Sequence, residues 1–325
     1  MNLVLSIFLA VSMIFGFTNS VIAKKKIVLK AGDVHPMDYP TVQGMVRMGE
    51  LLSDWTDGRI TIQVYPSMQL GAEKEMLEQT QFGAIDLLRV STGPLGTIVP
   101  EFNAFSLPYI FRNADHMHKV VDGPIGQELA EKAKKGGFIG IGYYDSGFRS
   151  FYNTRRPIRS MKDLKGLKFR VMGNPIFVDM VAALGASATP MAYNEVYTSL
   201  ATGVIDGAEN NYPSYTSSGH YEKAKYYTQD QHLSVPEILL LSNKTVEKLS
   251  KADVALIKYA ASLSVPYQRE LWAARAKASI EKAKAAGCEI ITDIDKTPFM
   301  KAMEPVYAKH AKPLAGIIKR IQAVK

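Results

Sequence analysis

Short apolar runs and longer runs of helical period alternate along this chain. Ile27 to Gly32 is a brief apolar run of the kind a strand buried on both faces needs. From Tyr39 to Thr56 the apolar positions Val42, Met45, Val46, Met48, Leu51, Leu52 and Trp55 recur three and four apart. That spacing predicts a helix ended by Asp57-Gly58. Arg59 to Tyr65 alternates, with Ile60, Ile62 and Val64 on one face, until Pro66 stops it. Gly71 to Phe82 predicts a second helix with Glu73 and Glu75 in its first turn, and Ile85 to Val90 a third strand.

The order then repeats. Leu167 to Val171 reads as a strand, and Asn174 to Leu184 as a helix with Pro175 at its first position and Gly185 past its end. Ser187 to Met191 is short and extended, Tyr193 to Ala201 helical, and Val204 to Asn210 the next strand. Phe82-Gly83-Ala84-Ile85-Asp86 is echoed by Thr202-Gly203-Val204-Ile205-Asp206, 120 residues later. Two βαβαβ halves predict two α/β lobes with mainly parallel sheets and right-handed crossovers. Gly140 to Tyr144 adds a strand between them. Val246 to Gly287 is helical, rich in Ala, Lys, Glu and Leu, with an interruption expected near Ser264-Val265-Pro266. Coming after both halves, it is placed to pack across them.

Met1 to Ala23 has no charged side chain. An apolar run from Leu3 to Phe17 leads to Val21 and Ala23, small residues spaced as a cleavage signal requires. The run is shorter than the roughly 20 residues of a membrane span, and no later stretch approaches one. The expectation is an exported, periplasmic protein whose signal ends at residue 23. Its one cysteine, Cys288, allows no internal disulfide, so the core alone must hold the fold.

With 325 residues and 47% apolar side chains the chain can fill about two domains. The net charge of +8 is its one skewed value. Arg155, Arg156, Arg159, Lys162, Lys165 and Lys168 supply part of it without interleaved aromatics, which reads as a solvated face rather than a nucleic-acid site. No nucleophile elbow, phosphate loop, His-Glu-x-x-His or cysteine ligand pattern is present. His116 and His118 lie two apart on a helical stretch and do not share a face. The residues give no metal, no cofactor and no catalytic group, and binding without chemistry is the better reading.

In open α/β sheets ligands sit beyond the carboxyl ends of the strands. That rule picks out Asp33, His35 and Tyr39, then Glu73, then Arg89, Ser91 and Thr92. It also picks Asp145, Ser146 and Arg149, then Arg170, Met172 and Asn174, and finally Glu209, Asn210, Asn211 and Tyr212. Three arginines, Arg89, Arg149 and Arg170, are expected to face one cleft, which suits a small polar anion. Arg170, flanked by Phe169 and Val171, needs a partner for a semi-buried guanidinium, and its planar fork suits a carboxylate.

The run from Asp163 to Val171, then Leu184-Gly185-Ala186, Tyr193 to Tyr197 and Gly203 to Asn210 carry a resemblance, joined by Gly71 to Glu75 and Gly83 to Asp86 in the first half. Together they resemble the extracytoplasmic substrate-binding subunits of tripartite ATP-independent periplasmic (TRAP) transporters, the DctP type. The resemblance implies a two-lobed α/β binding protein with a ligand cleft between the lobes and a long helix spanning both. It implies delivery to the TRAP membrane permease, with no nucleic acid and no membrane insertion of its own. The family's carboxylate-clamping arginine maps onto Arg170, an assisting arginine onto Arg149, and its asparagine after Gly-Ala-Glu onto Asn210. The lobes are expected to be discontinuous: 24–147 with 236–265, and 148–235 with 266–325.

Glu73, Glu209, Asn174, Asn211 and His35 beside the arginines favour a hydroxylated monocarboxylate, because a buried Glu would repel a second carboxylate. His35-Pro36, Tyr39-Pro40, Leu88 to Ser91 and Glu209 to Tyr215 also resemble family members that bind glucuronate and galacturonate. A C4-dicarboxylate or other organic acid is the alternative ligand. An ATP-driven transporter's binding protein and a periplasmic sugar-acid enzyme are the rival classes.

Overall fold

The computed structural model describes residues 25–325; the expected export signal at 1–23 lies outside the described residues. Eleven strands occur among those residues: β1 (Ile27–Gly32), β2 (Ile60–Tyr65), β3 (Leu87–Ser91), β4 (Phe138–Tyr144), β5 (Arg149–Asn153), β6 (Lys168–Val171), β7 (Ser187–Pro190), β8 (Gly207–Asn210), β9 (Tyr226–Leu233), β10 (Glu237–Ser242) and β11 (Glu289–Ile291). They form two sheets, ordered β2-β1-β3-β10-β4 and β11-β9-β5-β8-β6-β7. Each sheet is the core of one lobe.

The expected echo between the halves is real in its parallel part. β1 pairs β2 and β3 in parallel, and β6 pairs β7 and β8 in parallel. The sheets are nonetheless mixed, not mainly parallel. β10 lies antiparallel between β3 and β4, and β5 antiparallel between β8 and β9. The physical reason is exchange: the first lobe's sheet takes in a strand that arrives from the second lobe, and such a strand enters from the opposite end. β8 is also shorter than expected, because residues 204–206 form the turn that leads into it.

Helices Pro40–Trp55 and Glu73–Phe82 cover the first sheet, and Pro175–Ala183 the second. The long helix is continuous from Lys251 to Ala285, 35 residues with Pro266 inside it, so the expected break near residue 264 is absent. At 1.5 Å per residue it is about 52 Å long. Proline costs an interior hydrogen bond, but packing on both sides of this point outweighs it. Ser264 is buried and its hydroxyl meets the Tyr144 hydroxyl at 2.7 Å. Gln268, fully buried, accepts from the Asp145 backbone N–H and donates to its carbonyl, both at 2.9 Å.

Near the cavity the chain passes between lobes three times, at 145–148, at 234–236 and along the long helix. The C-terminal helix Ala315–Ala323 then returns to the first lobe, against helix Pro124–Lys132, with Arg320 on Glu128 and the Ile321 carbonyl on His116, which corrects the expected second-lobe span of 266–325. The three passages are tied together. Ser146 Oγ donates to the Val235 carbonyl and Ser234 Oγ to that of Gly147, while Gln268 clasps Asp145. Gly147 sits at φ 59°, the left-handed region, with the Trp272 indole 3.2 Å from where a Cβ would stand. Only glycine fits there without strain.

Candidate functional site

Between the lobes lies a narrow cavity. One wall comes from the ends of β1, β3 and β10 and the first turns of helices Pro40–Trp55 and Glu73–Phe82: His35, Tyr39, Thr41, Glu73, Ser91 and Glu237. The other comes from β5, β6, β8 and the segments just after them: Arg149, Arg170, Met172, Tyr193, Asn210, Asn211 and Ser214. Ser146 and Trp272 close it at the hinge.

Arg170 is the third residue of β6, between the buried Phe169 and Val171, and is itself 4% exposed. Its Nε donates to the Met191 carbonyl at 2.9 Å. No carboxylate among the described residues pairs with it, and its two terminal nitrogens are left to the cavity. Burial and then the neighbouring Arg149 charge lower its pKa, the direction of a cation held without a counterion.

Arg149 opens β5 and is fully engaged. Glu209 takes Nε at 2.5 Å and Nη2 at 2.8 Å, and the Asn210 amide oxygen takes Nη1 at 2.8 Å. That amide oxygen, which also accepts from the Asn211 N–H, fixes Asn210 in the cavity wall. Glu209 lies behind that wall, with His232 Nε2 3.5 Å away, and His232 Nδ1 is 2.6 Å from Asp230. Burial would raise the Glu209 pKa, but Arg149 and His232 pull it to about 2. Burial opposes charge on His232 as well, yet Asp230 and Glu209 raise it to about 9.

Arg89 corrects the expectation of three arginines facing the cleft. It is wholly buried behind the first wall, with Asp33 on Nε and Nη2 and Glu237 on Nη1 at 2.7 Å. Glu73 stands 3.3 Å from Nη1. Burial would raise Asp33, but Arg89 and His35 hold its carboxyl well below the usual range. Burial raises Glu237, and the nearby Glu73 adds to that. His35 is lowered by burial and then by Arg89, so it is neutral; its ring stacks on Tyr39 with centroids 3.8 Å apart.

The remaining expected residues divide. Glu73, His35, Met172, Asn210 and Asn211 line the cavity with Arg149 and Arg170. Asn174 and Tyr212 do not. Asn174 caps its helix through the Ile176 N–H and donates across the lobes to the Gly93 carbonyl and Asn103 Oδ1, both at 2.8 Å. Tyr212 stacks on Tyr227 and donates to Gln229. Sequence pattern misses Glu237 and Trp272. A lone carboxylate opening the apolar run Ile238-Leu239-Leu240-Leu241 is the available signal for Glu237. Trp272 sits in a helix whose facing is unreadable until its partners are known.

The two walls differ in charge. Around Arg89 stand three carboxylates; around Glu209 and Asp230 stand Arg149, Arg170 and a protonated His232. A ligand here meets cation on one side and carboxylate acceptors on the other.

Residues 31–313 match the family model described as bacterial extracellular solute-binding protein, family 7 (DctP). A solute-binding protein of Chromohalobacter salexigens is 43% identical over 275 residues, 85% of this chain and 82% of that protein. A TRAP periplasmic solute-binding protein of Bradyrhizobium sp. BTAi1, solved with α/β-D-galacturonate, superposes with a TM-score of 0.89 at 46% identity, covering 90% of this chain and 99% of the other. One from Pseudomonas putida F1 with bound D-glucuronate gives 0.90 at 42%, covering 92% and 98%.

Proposed function

This chain belongs to DctP, the bacterial extracellular solute-binding proteins of family 7, and on that premise we propose that it captures a hexuronate for a TRAP membrane permease. The observation that carries the reading is Arg170, buried at the cavity with no carboxylate of its own. A buried cation without a partner is costly, and a ligand carboxylate removes that cost while accepting two parallel N–H bonds. The opposite wall supports one carboxylate rather than two. Glu73 and Glu237 accept hydrogen bonds from hydroxyls and repel a second anion. Tyr39 and Trp272 offer apolar surface to a sugar ring. The uronates carried by the solved relatives have this shape of charge. The ligand leaves unchanged, and the place of work is the periplasm.

A thermal-shift screen against D-glucuronate, D-galacturonate, succinate, malate and sialic acid tests this. A ligand at 100 times its dissociation constant adds about 2.7 kcal/mol of stability. Shifts with the two hexuronates and none with succinate are the expected result; a shift with succinate or malate alone overturns it.

A further inference from the structure

The lobes are laced together along several stretches, two of which flank the cavity, and are left open along another. On the hinge side the Tyr39 hydroxyl meets Ser214 Oγ at 2.8 Å, and His35 Nε2 lies 3.5 Å from the same oxygen. At another edge Asn174 binds Gly93 and Asn103, and Phe177 packs so close that a Cβ on Gly93 would meet its ring at 2.8 Å. Between helix Glu73–Phe82 and residues 190–193, no hydrogen bond or ion pair joins the lobes among the described residues. A groove runs there that is roomier than the cavity.

The groove adjoins the cavity. Glu73, Arg170, Met172 and Tyr193 line both, so the clamp stands at their junction. The groove's floor is apolar, from Leu77, Pro94, Ile98, Pro190 and Met191. Its rim holds Lys74 against Glu73, Glu75 and Glu78, an excess of negative charge that disfavours a second anionic group.

In a hexopyranuronate the carbon that bears the carboxylate is bonded to carbon 4 on one side and, on the other, to the ring oxygen, beyond which lies the anomeric carbon 1. With the carboxylate on Arg170, which lines both cavity and groove, carbons 1 and 4 are the ring positions whose substituents have the groove within reach. We propose that this site also takes uronides, hexuronates bearing a neutral, apolar-faced substituent that lies in the groove. The inference rests on the hexuronate reading above and goes beyond it to a substrate class larger than the free sugar acid.

Isothermal titration of the protein with D-glucuronate, D-galacturonate and p-nitrophenyl β-D-glucuronide tests it. The uronide binds within tenfold of D-glucuronate. Gly173 lines the groove alone, is exposed, and has open space where a Cβ would stand. Gly173→Trp therefore fills the groove and weakens the uronide at least tenfold, with D-glucuronate held within threefold. Ala192→Trp, from another segment of the same wall, does the same. A uronide more than tenfold weaker than D-glucuronate in the unsubstituted protein overturns the proposal. So do variants that affect both ligands alike or leave the uronide untouched. Failure of both free hexuronates to bind breaks the proposed function itself, and this inference with it.

Discussion

Arg89 and Arg170 occupy like places in the two lobes and have opposite surroundings. Each is the third residue of its strand, Leu88-Arg89-Val90 in one and Phe169-Arg170-Val171 in the other, and each is buried. Arg89 is surrounded by Asp33, Glu73 and Glu237; Arg170 has a single backbone carbonyl. The first guanidinium is finished by the fold. The second is left for something the chain does not contain.

The difference can be broken by exchanging charge for shape. Arg89→Met leaves the buried Asp33 and Glu237 and the half-buried Glu73 without their cation and costs about 3–5 kcal/mol of stability, read from urea denaturation. A loss under about 1 kcal/mol would mean that Arg89 does not hold that wall together. Arg170→Met leaves unfolding free energy unchanged or higher, since an uncompensated charge is removed, while hexuronate binding weakens by about 2–5 kcal/mol. Titration calorimetry and denaturation on the same variant separate the two effects; affinity within threefold of the parent ends the clamp assignment.

The second wall also carries a pH signature. His232 is raised from 6.5 to about 9 in the folded protein. Its contribution is therefore complete below pH 6.5 and lost as the pH climbs through 9, on the order of 3 kcal/mol in all. Glu209, lowered from 4.5 to about 2, contributes above pH 4.5 and loses that contribution as the pH falls toward 2. Stability measured across pH 6 to 10 should fall at the alkaline end in the parent and fall less in His232→Asn. Equal slopes would remove the histidine from the account.

The smallest effect concerns selectivity. Glu237→Gln keeps an acceptor on the first wall but removes a charge, so succinate should gain about 1 kcal/mol, roughly fivefold, while D-glucuronate stays within tenfold. Competition titration of the two acids decides it, and an unchanged succinate affinity would show that this wall does not select against dicarboxylates.

The strand patterns make both arginines visible, because a charged residue between apolar neighbours in a short run is conspicuous. What they cannot show is company. Asp33 is 56 residues from Arg89 and Glu237 is 148, and nothing local announces either pairing. Asn174 is legible as a helix cap, yet its amide is spent on the other lobe. The long helix is legible as helical, but a proline looks like its end. Gln268 and Ser264, buried on the side that faces the hinge, decide that it is not. Local pattern reaches the elements and the strand ends; partners supplied by distant segments decide which of those ends are open.

The three passages between lobes are bonded to one another by Ser146, Ser234 and Gln268, and one of them is a strut about 52 Å long. The C-terminal helix Ala315–Ala323 is tied back to the first lobe through Arg320 on Glu128 and the Ile321 carbonyl on His116, so any separation of the lobes must carry that segment with it.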